Sequence, residues 1–133
     1  MKYFLSLLIF SSLLFSYEID FGEVKEVKGI FEVPIKIKAE EDYLALQFKL
    51  KYDEGLKFEG IEWGEITKGA LNAVNDKIPK EVRAAIASAT PLPREGIVCT
   101  LKFSGKGEIR FEEFLINDKP AKILKEKFVI KKK

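Results

Sequence analysis

The chain has 133 residues, with 23 lysines and arginines, 21 aspartates and glutamates, and no histidine. Charges of both signs are interspersed along it, which argues against nucleic acid as a partner. The lack of histidine removes the commonest general base and metal ligand. We therefore predict no enzymatic activity, no cofactor and no metal site.

A single cysteine rules out an internal disulfide, so stability has to come from packing and charge pairs. Charged residues make up 33% of the chain, and glutamine and asparagine are rare. This balance is typical of heat-adapted proteins and predicts a thermophilic source.

The N-terminus carries an apolar run, Phe4 to Phe15, interrupted only by serines and preceded by Lys2. A bilayer-spanning helix needs roughly 20 residues, so this run is too short and is typical of a secretory signal peptide. We predict that residues 1–16 are cleaved and that residues 17–133 form one exported domain, periplasmic, cell-surface or extracellular. An uncleaved anchor is the alternative, because Leu14 is bulkier than a cleavage site prefers.

Alternating apolar and polar residues predict several half-buried strands. The first contains Pro34, which suggests an edge strand, and the third is bent at Gly60. The apolar positions of these strands are Phe31, Val33, Ile35 and Ile37; Leu44, Leu46, Phe48, Leu50 and Tyr52; and Leu56, Phe58, Ile61 and Trp63.

The second half of the chain is less regular. Residues 65–80 have no clean period and are interpreted as a connection with one short helix around 67–74. The stretch 81–89 fits a helix or a strand equally well from local evidence. A phase shift at Glu112-Glu113 suggests a bulge. Further strands are predicted with Ile97, Cys99, Leu101 and Phe103 inward, then Ile109, Phe111, Phe114 and Ile116, and finally Phe128 and Ile130.

About eight short strands with turn signals between them predict a sandwich or barrel. Within it, Cys99 falls on the apolar side of its strand and is expected to pack as an inert core residue. Trp63 and Tyr52 also fall on apolar sides. The acidic residues cluster in turns, and Glu40-Glu41-Asp42 lacks the spacing of a calcium loop.

Five segments in this order resemble a cohesin domain: EIDFGEV (18–24), FEVPIKI (31–37), LALQFKLKYDEGLKFEGIEWGE (44–65), VRAAIASATPLPREGIVCTLKF (82–103) and GEIRFEEFLIND (107–118). The most specific parts are Tyr52-Asp53 followed by Trp63-Gly64, and the later ASATPL. The resemblance implies an all-β jelly-roll sandwich of about eight or nine mostly antiparallel strands, in which Glu81 to Ala87 is extended. Cohesins bind dockerin modules and assemble polysaccharide-degrading complexes on bacterial surfaces.

The resemblance therefore implies a non-catalytic module that binds a dockerin-like or other envelope protein. Its candidate partner-binding residues are Ala45, Gln47, Lys49, Arg83, Ala85, Ala87 and Ser88, completed by Val98, Thr100 and Lys102. Two alternatives stay open. A carbohydrate-binding module would need exposed coplanar aromatics, for which Tyr17, Tyr43 and Phe114 are not firmly placed. A structural envelope component would pair through a sheet edge near Pro34 or at the C-terminal strand.

Overall fold

The computed structural model describes residues 16–131, which form a jelly-roll sandwich of two β-sheets and confirm the predicted all-β fold. The predicted signal peptide, apart from Ser16, lies outside the described residues. Twelve strands occur in the described part, and nine of them have four residues or more. They are β1 Tyr17–Phe21, β2 Lys25–Val27, β3 Ile30–Ala39, β4 Ala45–Tyr52, β5 Leu56–Trp63, β6 Leu71–Asn75, β7 Glu81–Ala87, β8 Glu95–Gly105, β9 Gly107–Ile116, β10 Lys119–Pro120, β11 Lys122–Ile123 and β12 Lys127–Ile130.

The strands divide between two sheets, and the chain crosses from one sheet to the other several times. The first sheet has the order β11-β1-β3-β8-β5, with β2 also paired to β3, and the second has the order β10-β9-β4-β7-β6, with β12 also paired to β9. Neighbouring strands are antiparallel except β1 and β11, which are parallel. The long strands β3, β5 and β8 lie in the first sheet, and β4, β7 and β9 lie in the second. Each sheet therefore combines strands from both halves of the chain.

The core between the sheets is built mostly from the predicted inward residues. The expectation for Leu44 is wrong: it lies before β4 begins and is exposed. Leu50 and Ile109 are fully buried, and burying one such side chain stabilises the fold by about 1.5–3 kcal/mol. Aromatic rings join the sheets: the ring of Phe21 in the first sheet stacks on Phe111 in the second at 5.4 Å. Phe48 meets Phe111 edge-on at 5.8 Å between ring centroids, a favourable geometry beyond the area buried.

The expectation that Pro34 marks an edge strand is wrong. Its strand, β3, lies inside the first sheet between β1 and β8. The backbone oxygen of Pro34 accepts a hydrogen bond from Gly22 N–H at 2.8 Å, just where β1 has ended and β2 has not begun. The N–H and C=O of one strand residue point to the same side, so the donor that proline lacks falls at this gap.

The expected helix around 67–74 is also wrong. Glu65–Thr67 form a short 3-10 turn, and Leu71–Asn75 form strand β6. Nowhere in residues 16–131 is there a helix with the length and apolarity needed to cross a membrane. The ambiguous stretch is extended as β7, with Val82, Ala84 and Ile86 buried, as the cohesin resemblance implied.

Three bulges set which residues face the core. The bulge predicted at Glu112 is confirmed by the register shift of β9 against β4. The bend predicted at Gly60 takes the form of a second bulge, marked by the register shift of β5 against β8. The third was not predicted: Ile35 pairs with Cys99 and Lys36 with Ile97, so Val98 is the extra residue. A bulge reverses the alternation, which leaves Ile97 exposed, against expectation, and Val98 fully buried.

Two hydrogen bonds tie Tyr43, just before β4, to the segment that follows β7. The hydroxyl of Tyr43 donates to the backbone oxygen of Pro93 at 2.7 Å, and Leu92 N–H donates to the backbone oxygen of Tyr43 at 3.0 Å. Burial raises the pKa of Tyr43 to about 12, so the hydroxyl remains a donor at neutral pH. These contacts hold the end of the ASATPL segment beside Tyr43.

Candidate functional site

The candidate site is the solvent-facing side of four neighbouring strands of the second sheet, which we call the β6–β9 face. Register places its side chains in cross-strand rows. From the free edge inward the face comprises Leu71, Ala73 and Asn75 of β6; Arg83, Ala85 and Ala87 of β7; Ala45, Gln47, Lys49 and Lys51 of β4; and Arg110, Glu112, Glu113 and Leu115 of β9.

One end of this face is apolar and made largely of small side chains. Ala87 lies between Leu71 and Ala45, and in the next row Ala85 lies between Ala73 and Gln47. Leu71 is 80% exposed, the most exposed large apolar residue of the described part. Methyl side chains leave the backbone accessible, so a partner could approach the sheet closely here.

The other end of the face is an ion-pair network. The Nζ of Lys49 lies 3.5 Å from a carboxylate oxygen of Glu81 and 3.4 Å from one of Glu112. Lys51 Nζ is 3.3 Å from Glu112, and Arg83 Nε donates to Glu81 at 2.9 Å. Glu81 is only 5% exposed, so the network has a buried anion and more accessible cations.

The charges of this network act on Glu112. Desolvation would raise the pKa of its carboxyl, but hydrogen bonds from Lys51 and Lys49 and their positive charges outweigh it and lower the pKa. Glu112 therefore stays ionised to a lower pH than an unpaired glutamate.

A shallow depression of about 460 Å³ lies where the two ends meet, over β6, β7 and β4. Ala73 and Ala85 line its apolar side, and Gln47, Lys49 and Arg83 line its polar side. Since it is open, it suits a side chain or a helix ridge of a partner better than a small molecule.

Most of the predicted partner-binding residues lie together on this face. Ala45, Gln47 and Lys49 stand opposite Ala87, Ala85 and Arg83 in register. Ser88 lies just beyond the end of β7, where its hydroxyl accepts a hydrogen bond from Thr90 N–H at 3.3 Å and so belongs to the turn.

The other three predicted residues cannot complete the face, and that part of the expectation is wrong. Val98, Thr100 and Lys102 belong to β8 in the first sheet, on the other side of the sandwich. Val98 is buried, and Lys102 Nζ lies 3.4 Å from a carboxylate oxygen of Glu62 on the first sheet. Alternation distinguishes inward from outward residues, but it does not say to which sheet a strand belongs.

Sequence reasoning missed the contributions of β6 and β9. The three outward residues of β6 went unnoticed because the segment was interpreted as a connection. On β9, Glu113 pairs with Lys49 and Leu115 pairs with Gln47. These pairings place Glu113 and Leu115 on the face. The opposite charges of Lys49 and Glu113 were the available signal.

The described residues offer little for other chemistry. Residues 16–131 hold no cluster of three or more cysteine, aspartate or glutamate side chains placed to bind a metal ion. Every aromatic residue in the same range is buried or half-buried, including Tyr17, Tyr43 and Phe114. Cys99 is fully buried, and burial raises the pKa of its thiol.

The sandwich matches solved structures of cohesin modules, so the fold predicted from the five segments is confirmed. A non-cellulosomal cohesin from the hyperthermophilic archaeon Archaeoglobus fulgidus matches with a TM-score of 0.67 and 18% identity, over 81% of this chain and 84% of that one. A cohesin module of a family 33 glycoside hydrolase from Clostridium perfringens matches with a TM-score of 0.70 and 11% identity, over 88% and 96%.

A third match is a mutant type II cohesin–X-dockerin complex from Acetivibrio cellulolyticus, with a TM-score of 0.62 and 13% identity over 81% of this chain and 93% of the matched chain. No protein-family model and no curated protein sequence matches this chain. At these identities the likeness establishes the cohesin fold.

Proposed function

We propose that this chain is a non-catalytic binding module that docks another protein on the β6–β9 face. The observation that carries the proposal is that one exposed sheet face of the cohesin fold has an apolar end made of small side chains and an ion-paired end next to it. A cohesin of this fold forms a complex with an X-dockerin module, which supports a protein as the ligand.

The composition of the face indicates the kind of partner. Ala45, Ala73, Ala85 and Ala87 form a surface with little relief, on which a helix can lie close to the backbone. Leu71 would be covered by such a helix, and burying its exposed area contributes at roughly 25 cal/mol per Å². At the other end Arg83 stays 53% exposed despite its pair with Glu81, so it can meet an acidic group. The expected partner is an amphipathic helix with small apolar residues and an acidic flank, as from a dockerin-like protein.

The proposal is tested by capture followed by reconstitution. Immobilised residues 17–133 are exposed to an envelope extract of the source organism, the retained protein is identified, and binding of the purified pair is measured by calorimetry. Gln47→Arg with Ala85→Arg places two bulky cations in the middle of the face. We expect this variant to weaken binding more than tenfold, or by more than about 1.4 kcal/mol.

The matched control carries two arginines on the other sheet, Ile97→Arg with Thr100→Arg, on outward positions of β8. It should bind as tightly as the wild type. Equal affinity of all three proteins, or loss of binding in the control alone, would refute the assignment of the face.

Carbohydrate binding, the alternative function, finds no support in the described residues. A sugar-stacking platform needs exposed aromatic rings, and the tyrosines that the sequence left unplaced, Tyr17 and Tyr43, are core residues. Failure to retain any protein, with retention on insoluble polysaccharide, would favour this alternative.

Export remains part of the same proposal. The apolar run before Tyr17 supports cleavage of residues 1–16, which would leave the sandwich free outside the cytoplasm. N-terminal sequencing of the protein recovered from expressing cells would show Tyr17 as the first residue, whereas an intact Met1 would contradict cleavage.

A further inference from the structure

Strand β6 ends the second sheet and leaves one side of its backbone without a neighbouring strand. Its five residues, Leu71–Asn75, are all exposed, and none is charged. Uncharged, regular edges are unusual, because they invite pairing with another chain.

The other edges of the described sandwich are protected in the usual ways. Strands β2, β11 and β12 carry lysines, and β10 contains both a lysine and a proline. Strand β5 has charged residues and the bulge at Gly60. Pairing of β6 with β7, by contrast, shows no register shift. Among residues 16–131, β6 is therefore the edge most open to a further strand.

The hydrogen-bond pattern identifies which groups of β6 are available. Ser88 N–H donates to the backbone oxygen of Leu44 at 2.7 Å. Counting back from Ser88, every second residue of β7 therefore directs its backbone N–H and C=O groups to β4. The residues between them, including Ala85, direct theirs to β6. Their partners Leu71, Ala73 and Asn75 direct their N–H and C=O groups to β7. It follows that Asn72 and Val74 direct theirs to the open side.

This pattern is complementary to itself. When two β6 strands lie antiparallel with Ala73 opposite Ala73 of a second copy, Asn72 faces Val74 of the second copy and each residue exchanges both backbone hydrogen bonds. The small side chains of the two Ala73 residues flank the two-fold axis, and Leu71 faces Asn75 of the second copy. Because the five residues carry no charge, no like charges are brought together.

We propose that the β6 edge pairs with the β6 edge of a second copy of this chain, about a two-fold axis at Ala73. The second sheets of the two copies then become one continuous sheet. The β6–β9 faces lie side by side on it, so the dimer presents two docking faces in one plane.

The proposal is tested on residues 17–133, which supply every strand and core residue described above. Sedimentation equilibrium should show a mass that rises with concentration from monomer to dimer. Asn72→Pro removes an N–H that points away from β7, so it should leave the unfolding midpoint unchanged and abolish the dimer. Ala73→Lys, which sets two ammonium groups opposite each other at an exposed position, should abolish it too and covers the case in which the proline variant unfolds.

Register is tested by cross-linking. Ala73→Cys brings the two thiols together, since opposed residues of a non-hydrogen-bonded pair have Cα atoms about 4.5 Å apart. Mild oxidation should therefore yield a disulfide-linked dimer. Asn75→Cys, the matched control, faces Leu71 of the second copy and should cross-link far more slowly, and the buried Cys99 does not compete.

A wild type that stays monomeric up to its solubility limit, or equal cross-linking of the two cysteine variants, would overturn the proposal. Persistence of the dimer in both Asn72→Pro and Ala73→Lys would overturn it as well. The outcome is separate from that of the docking test, because Gln47→Arg with Ala85→Arg leaves the backbone groups of the edge untouched.

Discussion

Removing the anion of the ion-pair network should cost the fold less than removing its cations. Glu81 is 5% exposed, and its carboxylate accepts from Arg83 Nε at 2.9 Å and lies 3.5 Å from Lys49 Nζ. The cationic side chains keep contact with water, at 53% exposure for Arg83 and 30% for Lys49. Removal of Glu81 would therefore leave cations that water can solvate, whereas removal of the cations would leave a buried carboxylate.

The magnitudes follow from this asymmetry. Glu81→Gln keeps the size and an acceptor oxygen, while both cations remain solvated, so the expected loss is about 1 kcal/mol. Lys49→Met with Arg83→Met leaves a buried carboxylate without compensation, a class of change that costs about 3 kcal/mol or more. Lys51→Met, the control, loses one accessible pair with Glu112 and should destabilise the fold least of the three variants.

Urea unfolding at pH 7 measures these losses. Trp63 is the sole tryptophan of the chain and packs half-buried against the core, so its fluorescence reports unfolding. Glu81→Gln should lower the midpoint slightly and the double methionine variant substantially, with unchanged slopes. If Glu81→Gln proves as destabilising as the double variant, the reasoning from unequal burial is refuted.

Two further predictions follow from pKa shifts. The lowered pKa of Glu112 means that its ionic contribution to stability is present above the ordinary value of 4.5 and is lost as the pH falls through the folded-state pKa. Hence Glu112→Gln should lower the urea midpoint at pH 7, and this difference should shrink as the pH falls through the folded-state pKa; a difference that does not change with pH would contradict it. Because burial raises the pKa of the Cys99 thiol, a thiol reagent at about pH 8 should modify it only in urea, and rapid labelling of the native protein would contradict this.

The sequence was sufficient to predict the faces of most strands, because burial of one side imposes a period of two. Leu46, Phe48 and Leu50 are buried as their alternation predicted, and Gln47 between them is exposed. Bulges that the pattern itself reveals, such as the phase shift at Glu112, were also predictable. The bulge at Val98 was not, because Val98 and Ile97 are both apolar and their exchange leaves no trace in the pattern.

Two other features depend on pairing between distant segments. Strand β6 has no buried face, so no hydrophobic period marks it, and its extended form arises from hydrogen bonds to β7. Likewise, the assignment of β8 to the first sheet depends on its pairing with β3 and β5. Local sequence contains neither kind of information, which explains why Thr100 and Lys102 were expected on the wrong side of the sandwich.

Strand β6 takes part in both proposals, but with different atoms. The docking face uses outward side chains such as Ala73, whereas the edge uses backbone groups of Asn72 and Val74, which point away from β7. Docking on the face therefore leaves the edge free, and pairing at the edge leaves the face open. A partner with two docking helices could engage both faces of the dimer, and its second contact would then form at a high effective concentration. Such a partner should lose affinity in Asn72→Pro, while a partner with one helix should not.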